Sequence, residues 1–151
     1  MDDPTPFADM ASRVRAILEI PLHRFLGLQL TDVDDPAGGV VLDVTGPSLN
    51  QAHLLHGGIV MALLDVASYL ALAPSLAAGE HAVTHDMSVQ LLRPVQAGVR
   101  LRLRGEVLQS GRRVAFLRAD ARVDGIVVAA AQVTKTLMLG ADQEGQPTFG
   151  G

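Results

Sequence analysis

Between Gly57 and Ala73 the chain runs for seventeen residues with almost no polar group besides Asp65, Ser68 and Tyr69, and Pro74 closes the stretch. A helix that crosses a bilayer needs about 20 apolar residues, and a carboxylate at its middle costs a few kcal/mol in lipid. A buried helix of a water-soluble domain is therefore the better reading, and no membrane partner is expected. A helix apolar on every side must be covered over most of its circumference. The rest of the chain has to supply that cover.

The second half is suited to the task. Val99-Arg100-Leu101-Arg102-Leu103-Arg104 alternates with period two, so three arginines share one face of a strand and three apolar residues the other. Ser110-Gly111 reads as a turn, Val114 to Val123 as a strand, Asp124-Gly125 as a hairpin, and Ile126 to Leu139 as the last strand. Ala82 to Leu92 is also strand-like and ends at Arg93-Pro94. Ahead of the apolar segment, residues 7–20 have helical spacing, with Phe7, Met10, Val14, Ile17 and Leu18 on one stripe and Arg13, Arg15 and Glu19 elsewhere. Pro21 ends that helix. Leu26 to Val33 reads as a strand, Asp34 to Gly39 as a turn, and Val40 to Val44 as a second strand broken by Gly46-Pro47. The order is helix, two strands, a long apolar helix, then about four antiparallel strands. A curved antiparallel sheet wrapped around a long central helix satisfies it, and the class is α+β. Residues 1–151 form one domain with a loose tail over 141–151, without repeats or an interdomain linker.

Composition excludes several functions. Twelve Lys and Arg stand against sixteen Asp and Glu, a net charge of -4 that suits no phosphate-tracking nucleic-acid binder. The N-terminal helix also lacks a partner helix for DNA docking. The absence of cysteine removes thiol nucleophiles, Cys-based zinc sites and disulfides together. Met1-Asp2-Asp3-Pro4 is acidic and leads into no apolar run, so no secretory signal is expected and the cytoplasm is the expected location. No G-x-S-x-G elbow, Walker loop or G-x-G-x-x-G is present.

The remaining chemistry lies in Asn50-Gln51-Ala52-His53-Leu54-Leu55-His56-Gly57-Gly58, which leads straight into the helix carrying Asp65. Two glycines at a helix start leave first-turn N–H groups unobstructed, and these donors suit a carbonyl oxygen that gains negative charge. Turn or packing chemistry would use the same glycines. A carboxylate in an apolar helix is short of solvation and becomes a stronger base; a structural ion pair is the alternative. His53 with His56, and His81 with His85, have spacings that could meet a metal, but no carboxylate completes a ligand set and no metal is expected. Arg100, Arg102 and Arg104 read as a solvated strand face, or as contacts to a ligand's phosphates.

Asn50, His56-Gly57-Gly58 and Asp65, followed by Arg93-Pro94 and Gly98, resemble the hotdog-fold acyl-CoA thioesterases of the phenylacetate-pathway and 4-hydroxybenzoyl-CoA type. The resemblance covers Leu26 to Leu139. It implies that Asp65 is the catalytic carboxylate, as general base on water or as nucleophile, and that Gly57 supplies the N–H that polarises the thioester carbonyl. It implies further that Asn50 and His56 orient the carbonyl and the loop, and that Thr84 helps to place the water. Gly58, Leu91, Leu92, Arg93, Pro94, Gln109, Ser110, Gly111, Arg112, Arg113 and Lys135 fall in regions that contact the substrate or its coenzyme A. No cofactor is implied, since coenzyme A is part of the substrate. His53 departs from the family, which often has glycine there. Aromatic residues make up 3% of the chain and do not decide between aryl and aliphatic acyl groups.

One distance follows without the family. Gly57 and Asp65 are eight residues apart, about 12 Å along a helix. A carbonyl at the Gly57 N–H cannot also lie within about 3 Å of water held by the same chain's Asp65. If both serve one thioester, two subunits build the site. The resemblance implies a homodimer with sites at its interface, and a homotetramer is the expected assembly. Two other functions remain open: a non-catalytic acyl-CoA sensor, which would need no carboxylate at Asp65, and a hotdog dehydratase or hydratase. The latter would want a His–carboxylate pair, whereas His56 lies nine residues before Asp65.

Overall fold

Asp124 and Gly125 take φ of 50° and 78°, the left-handed pair that matches the twist of a two-residue hairpin. The strands that they join run Val114–Val123 and Ile126–Leu139, as the sequence predicts. The computed structural model describes residues 7–139. In chain order the elements are α1 (Met10–Leu18), α2 (Pro21–Leu26), β1 (Gln29–Leu30), β2 (Val40–Asp43), α3 (Gly57–Leu72), β3 (Glu80–Leu91), β4 (Arg100–Ser110), β5 (Val114–Val123) and β6 (Ile126–Leu139). The strands form one antiparallel sheet in the order β1-β2-β4-β5-β6-β3.

The sheet curves around α3. By length and composition alone Gly57–Ser75 could cross a membrane, but here Leu63, Leu64, Leu70 and Leu72 are fully buried in the core. Each such leucine contributes about 1.5–3 kcal/mol relative to exposure. Beneath the helix β5 and β6 present several small side chains: Ala115, Ala119 and Ala121 of β5, and Ala129 and Ala131 of β6 are all buried. Closest of all is Gly105 of β4, where a Cβ would stand 2.5 Å from the Ala67 carbonyl oxygen and 2.7 Å from the Ser68 Cα. An isolated glycine within an alternating strand marks such a backbone approach. The opposite face of β4 carries the three arginines, and Arg100 pairs with its cross-strand neighbour Asp43 at 2.8 Å.

Four expectations for the N-terminal half are corrected. The helix expected over residues 7–20 is shorter, capped by Asp9, whose carboxylate accepts the Ser12 N–H at 2.7 Å. Pro21 does not merely end it: proline is favoured in a first helical turn, and α2 starts there and stops at Gly27, whose φ of 71° gives the left-handed cap. The strand expected over Leu26 to Val33 thus shrinks to Gln29–Leu30. Arg13, read as lying off the apolar stripe, is only 3% exposed. Its guanidinium donates to the carbonyls of Ala77 and Glu80 at 2.6 and 2.7 Å, tying α1 to the segment after α3. The tail over 141–151 lies outside the described residues.

Replacing Gly105 with Ala should separate α3 from β4, because the clashing atoms are backbone and cannot rotate away. The expected loss is about 1–3 kcal/mol of unfolding free energy, measured by denaturant melts.

Candidate active site

Thr84 and Lys135 sit directly opposite each other in the β3–β6 ladder. The register of β3 then slips between Thr84 and Asp86. This bulge reverses the alternation, so the even-numbered Ala82 and Thr84 and the odd-numbered Met87 and Val89 all turn toward α3. Thr84 and Lys135 thereby meet Asp65 in the middle of the helix. The Thr84 hydroxyl donates to Asp65 Oδ1 at 2.5 Å, and Lys135 Nζ donates to the same oxygen at 2.7 Å and to Thr84 Oγ1 at 2.6 Å. Asp65 Oδ2 accepts no hydrogen bond from the described residues. The Asp65 side chain is 39% exposed and that of Lys135 2%. A cavity of about 540 Å³ opens beside them, lined by Phe7, Ile17, Ile20, Val66, Tyr69 and Val83 among others.

Burial drives both other titratable neighbours toward neutrality. It pulls the Lys135 ammonium below the usual lysine range, opposed by the negative charge of Asp65. It pushes the Tyr69 phenol above its usual value, opposed by Arg13. The Lys135 ammonium also lies 5.8 Å from the centre of the Tyr69 ring, within cation–π range.

The start of α3 forms a second centre. His56 caps the helix, its Nδ1 accepting the Gly58 N–H at 2.9 Å, which leaves the ring proton of the neutral imidazole on Nε2. Ile59 and Val60 donate to the His56 carbonyl. The Gly57 N–H has no partner among the described residues. Asn50 holds the preceding loop: its side-chain oxygen accepts the N–H groups of Ala52 and Leu54 at 2.9 and 3.1 Å. Asn50, Gly57, Leu91, Leu92, Arg93 and Pro94 line a cavity of about 260 Å³.

The structure thus sorts the predicted residues into two groups. Asn50, His56, Gly57, Gly58 and Leu91 to Pro94 gather at the N-terminus of α3. Asp65, Thr84 and Lys135 gather at its middle, near the exposed β4–β5 turn with Gln109, Ser110, Gly111, Arg112 and Arg113, whose Arg113 carbonyl accepts the Leu137 N–H at 2.8 Å. Along β6 the partner of Leu91 is Ala129 and that of Val114 is Thr136, seven residues or about 23 Å apart. Lys135 does not join the arginines as an exposed cation. Its near-complete burial ties it to Asp65, so expecting it among the coenzyme A contacts is at odds with its position. The signal that could have set it apart is its rarity, for it is the only lysine among twelve basic residues. Among the described residues no three of His, Cys, Asp and Glu come together as a metal-binding group.

His53 explains its own departure from the family pattern. Its φ of 57° lies in the left-handed region, where a Cβ costs about 1–2 kcal/mol. Replacing His53 with Gly should relieve that cost and return part of it as unfolded-chain entropy. Thermal melts are expected to show a gain of about 0.5–1 kcal/mol, with hydrolytic activity unchanged.

The family model described as thioesterase superfamily matches residues 52–130. No curated protein matches the chain in sequence. Among solved structures, a thioesterase from Haemophilus influenzae superposes with a TM-score of 0.77 at 19% identity, covering 87% of this chain and 92% of its own, a likeness of fold. A phenylacetic acid degradation-related protein from Ralstonia eutropha is 28% identical with a TM-score of 0.71, over 84% of this chain and 98% of that one. A Streptococcus mutans protein bound to acetyl-CoA is 27% identical with a TM-score of 0.61, over 66% and 79%. The wrapped sheet and the family match over the central sequence agree, and the chain belongs to the thioesterase superfamily as a hotdog-fold thioester hydrolase.

Proposed function

We propose that the chain hydrolyses an acyl-CoA or aryl-CoA thioester to the free acid and coenzyme A, in sites built by two subunits. The observation that carries this reading is the Asp65 carboxylate on the wall of an apolar cavity, with Oδ1 held by Thr84 and Lys135 and Oδ2 without a donor among the described residues. Asp65 acts as general base: Oδ2 takes a proton from water as the water oxygen attacks the thioester carbonyl carbon. The Gly57 N–H, at the positive end of α3, stabilises the oxygen that becomes negative. The tetrahedral intermediate expels the coenzyme A thiolate, and the proton on Asp65 returns to it. Thr84 spends its hydroxyl proton on Asp65 but keeps a lone pair that can accept from the water. The free side-chain NH₂ of Asn50 lies on the same cavity as Gly57 and suits the carbonyl oxygen. The acetyl-CoA held by the Streptococcus mutans relative supports this class of substrate.

The spacing along α3 supports two subunits per site, since a carbonyl at the Gly57 N–H lies about 12 Å along the helix from the same chain's Asp65. β3 supports the assembly. It is a twelve-residue strand at the edge of the sheet with one side of its backbone unpaired, a surface that proteins seldom leave uncovered. Val83 on β3 and Met61 on α3 are exposed apolar side chains beside it. Antiparallel pairing of β3 with a second copy would bring the Gly57 end of one chain to the Asp65 end of the other. A dehydratase reading lacks its His–carboxylate pair, because His56 is committed to Gly58, about 13 Å along the helix from Asp65.

Asp65→Asn should lower kcat by about 10²–10⁴-fold with little change in KM, and unchanged hydrolysis of a panel of acyl-CoAs would overturn the assignment. Gly57→Pro deletes the N–H, and the extended His56 (φ -65°, ψ 125°) already has the conformation that precedes proline. Mixing the two inactive variants should restore about a quarter of wild-type activity, from mixed dimers with one intact site. No recovery despite verified subunit exchange would place the whole site in one chain. At the nucleotide end, the Arg112→Ala and Arg113→Ala double variant should raise KM several-fold at low salt with kcat intact. The effect should vanish for a truncated thioester without the nucleotide, since exposed contacts are worth only about 0.2–1 kcal/mol each.

A further inference from the structure

We infer that Lys135, the only lysine of the chain, is a positioning residue that holds the Asp65 carboxylate by Oδ1 and so directs Oδ2 at the reacting water. The inference rests on Asp65 as the base proposed above. The other eleven of the twelve Lys and Arg are arginines, and the ion pairs on the outer face of the sheet, Arg100–Asp43, Arg118–Glu106 and Arg122–Asp120, are solvent-exposed. Lys135 is instead enclosed between the sheet and α3, with two of its three protons on Asp65 Oδ1 and Thr84 Oγ1. Thr84 closes the triangle by donating to that same Oδ1.

Three bonds among three side chains leave the carboxylate no freedom to turn. A free carboxylate exchanges its two oxygens by rotating about the Cβ–Cγ bond. Here rotation would break the two donor contacts to Oδ1, both made by side chains of the enclosing sheet. The other oxygen has no donor among the described residues, and the Asp65 side chain lines the cavity. An arginine could not serve this end of β6. Its planar fork would engage both carboxylate oxygens and remove the free one, whereas an ammonium is a point donor that grips one. The remaining titratable or charged groups on the cavity are Arg13 of α1, His23 of α2 and Tyr69 of α3. Arg13 is engaged with the carbonyls of Ala77 and Glu80, and His23 Nδ1 with the carbonyl of Ile17. Lys135 is the cation bonded to the carboxylate.

Lys135→Met keeps the length of the side chain and removes its charge and donors. It should reduce kcat at least ten-fold with KM nearly unchanged. Combined with Asp65→Asn it should cost nothing further, because Lys135 acts through Asp65. A folded Lys135→Met protein with unchanged kcat overturns the inference. So does a raised KM at constant kcat that disappears for a thioester without the nucleotide, the mark of a phosphate contact. If Lys135→Met does not fold, selective ¹³C-lysine labelling of the wild type and of Asp65→Asn decides. A single lysine gives a single side-chain resonance, and its titration midpoint should fall when the carboxylate is replaced. Equal midpoints in the two proteins reject the coupling. Should Asp65→Asn hydrolyse acyl-CoA normally, the proposed function fails first. Loss of activity in Asp65→Asn with normal behaviour of Lys135→Met rejects the role of Lys135 alone.

Discussion

A helix with apolar side chains on nearly every side must exclude water around most of its surface, and α3 imposes that demand on the rest of the chain. The concave sheet answers it with alanines along β5 and β6 and with Gly105, so that the helix backbone nearly touches β4. Small residues on the sheet and large ones on the helix interdigitate at the density of a protein interior. The same demand sets the electrostatics. Wherever a polar group enters this helix, it meets a surrounding of low dielectric in which an unpaired charge is costly.

Asp65 is the one acidic residue of α3, and its surroundings reconcile burial with reactivity. One oxygen is satisfied by Thr84 and Lys135, the other has no donor among the described residues, and the side chain lines a cavity. The ion pair is unequal, with the lysine enclosed and the carboxylate part-exposed. A buried pair of this kind contributes little to stability, and its geometry instead fixes a direction. The bulge after Thr84 is part of this arrangement, since without the register slip Thr84 and Met87 could not face the same side of the sheet.

The helix also separates what it organises. Its N-terminus offers an unpartnered N–H and its middle offers a carboxylate, and a rigid rod keeps them too far apart for one small reacting group. The two groups of predicted substrate contacts along β6 are separated in the same sense. The proposed function meets both spacings by pairing the open edge of β3 with a second copy of itself, which binds assembly to chemistry.

The central helix, the β5–β6 hairpin and the paired glycines ahead of Asp65 were legible in the sequence, because each rests on local rules: apolarity around a helix, a left-handed two-residue turn, freedom of backbone at a helix start. The resemblance carried by Asn50, Gly57 and Asp65 added the hotdog arrangement. Three features belonged to the tertiary structure alone. Leu26 lies in a helix and not a strand because Pro21 and Gly27 bracket one turn that packs beside α1, a balance that propensity does not settle. Arg13 is buried because two carbonyls from beyond α3, more than sixty residues away, accept its protons. Lys135 occupies an inward position of an alternating strand, where the sequence pattern alone leaves a cation unexplained. Only the fold supplies Asp65 from seventy residues away and Thr84 from the neighbouring strand. Local sequence determines which elements form, and the partners of a buried charge are decided by which elements meet.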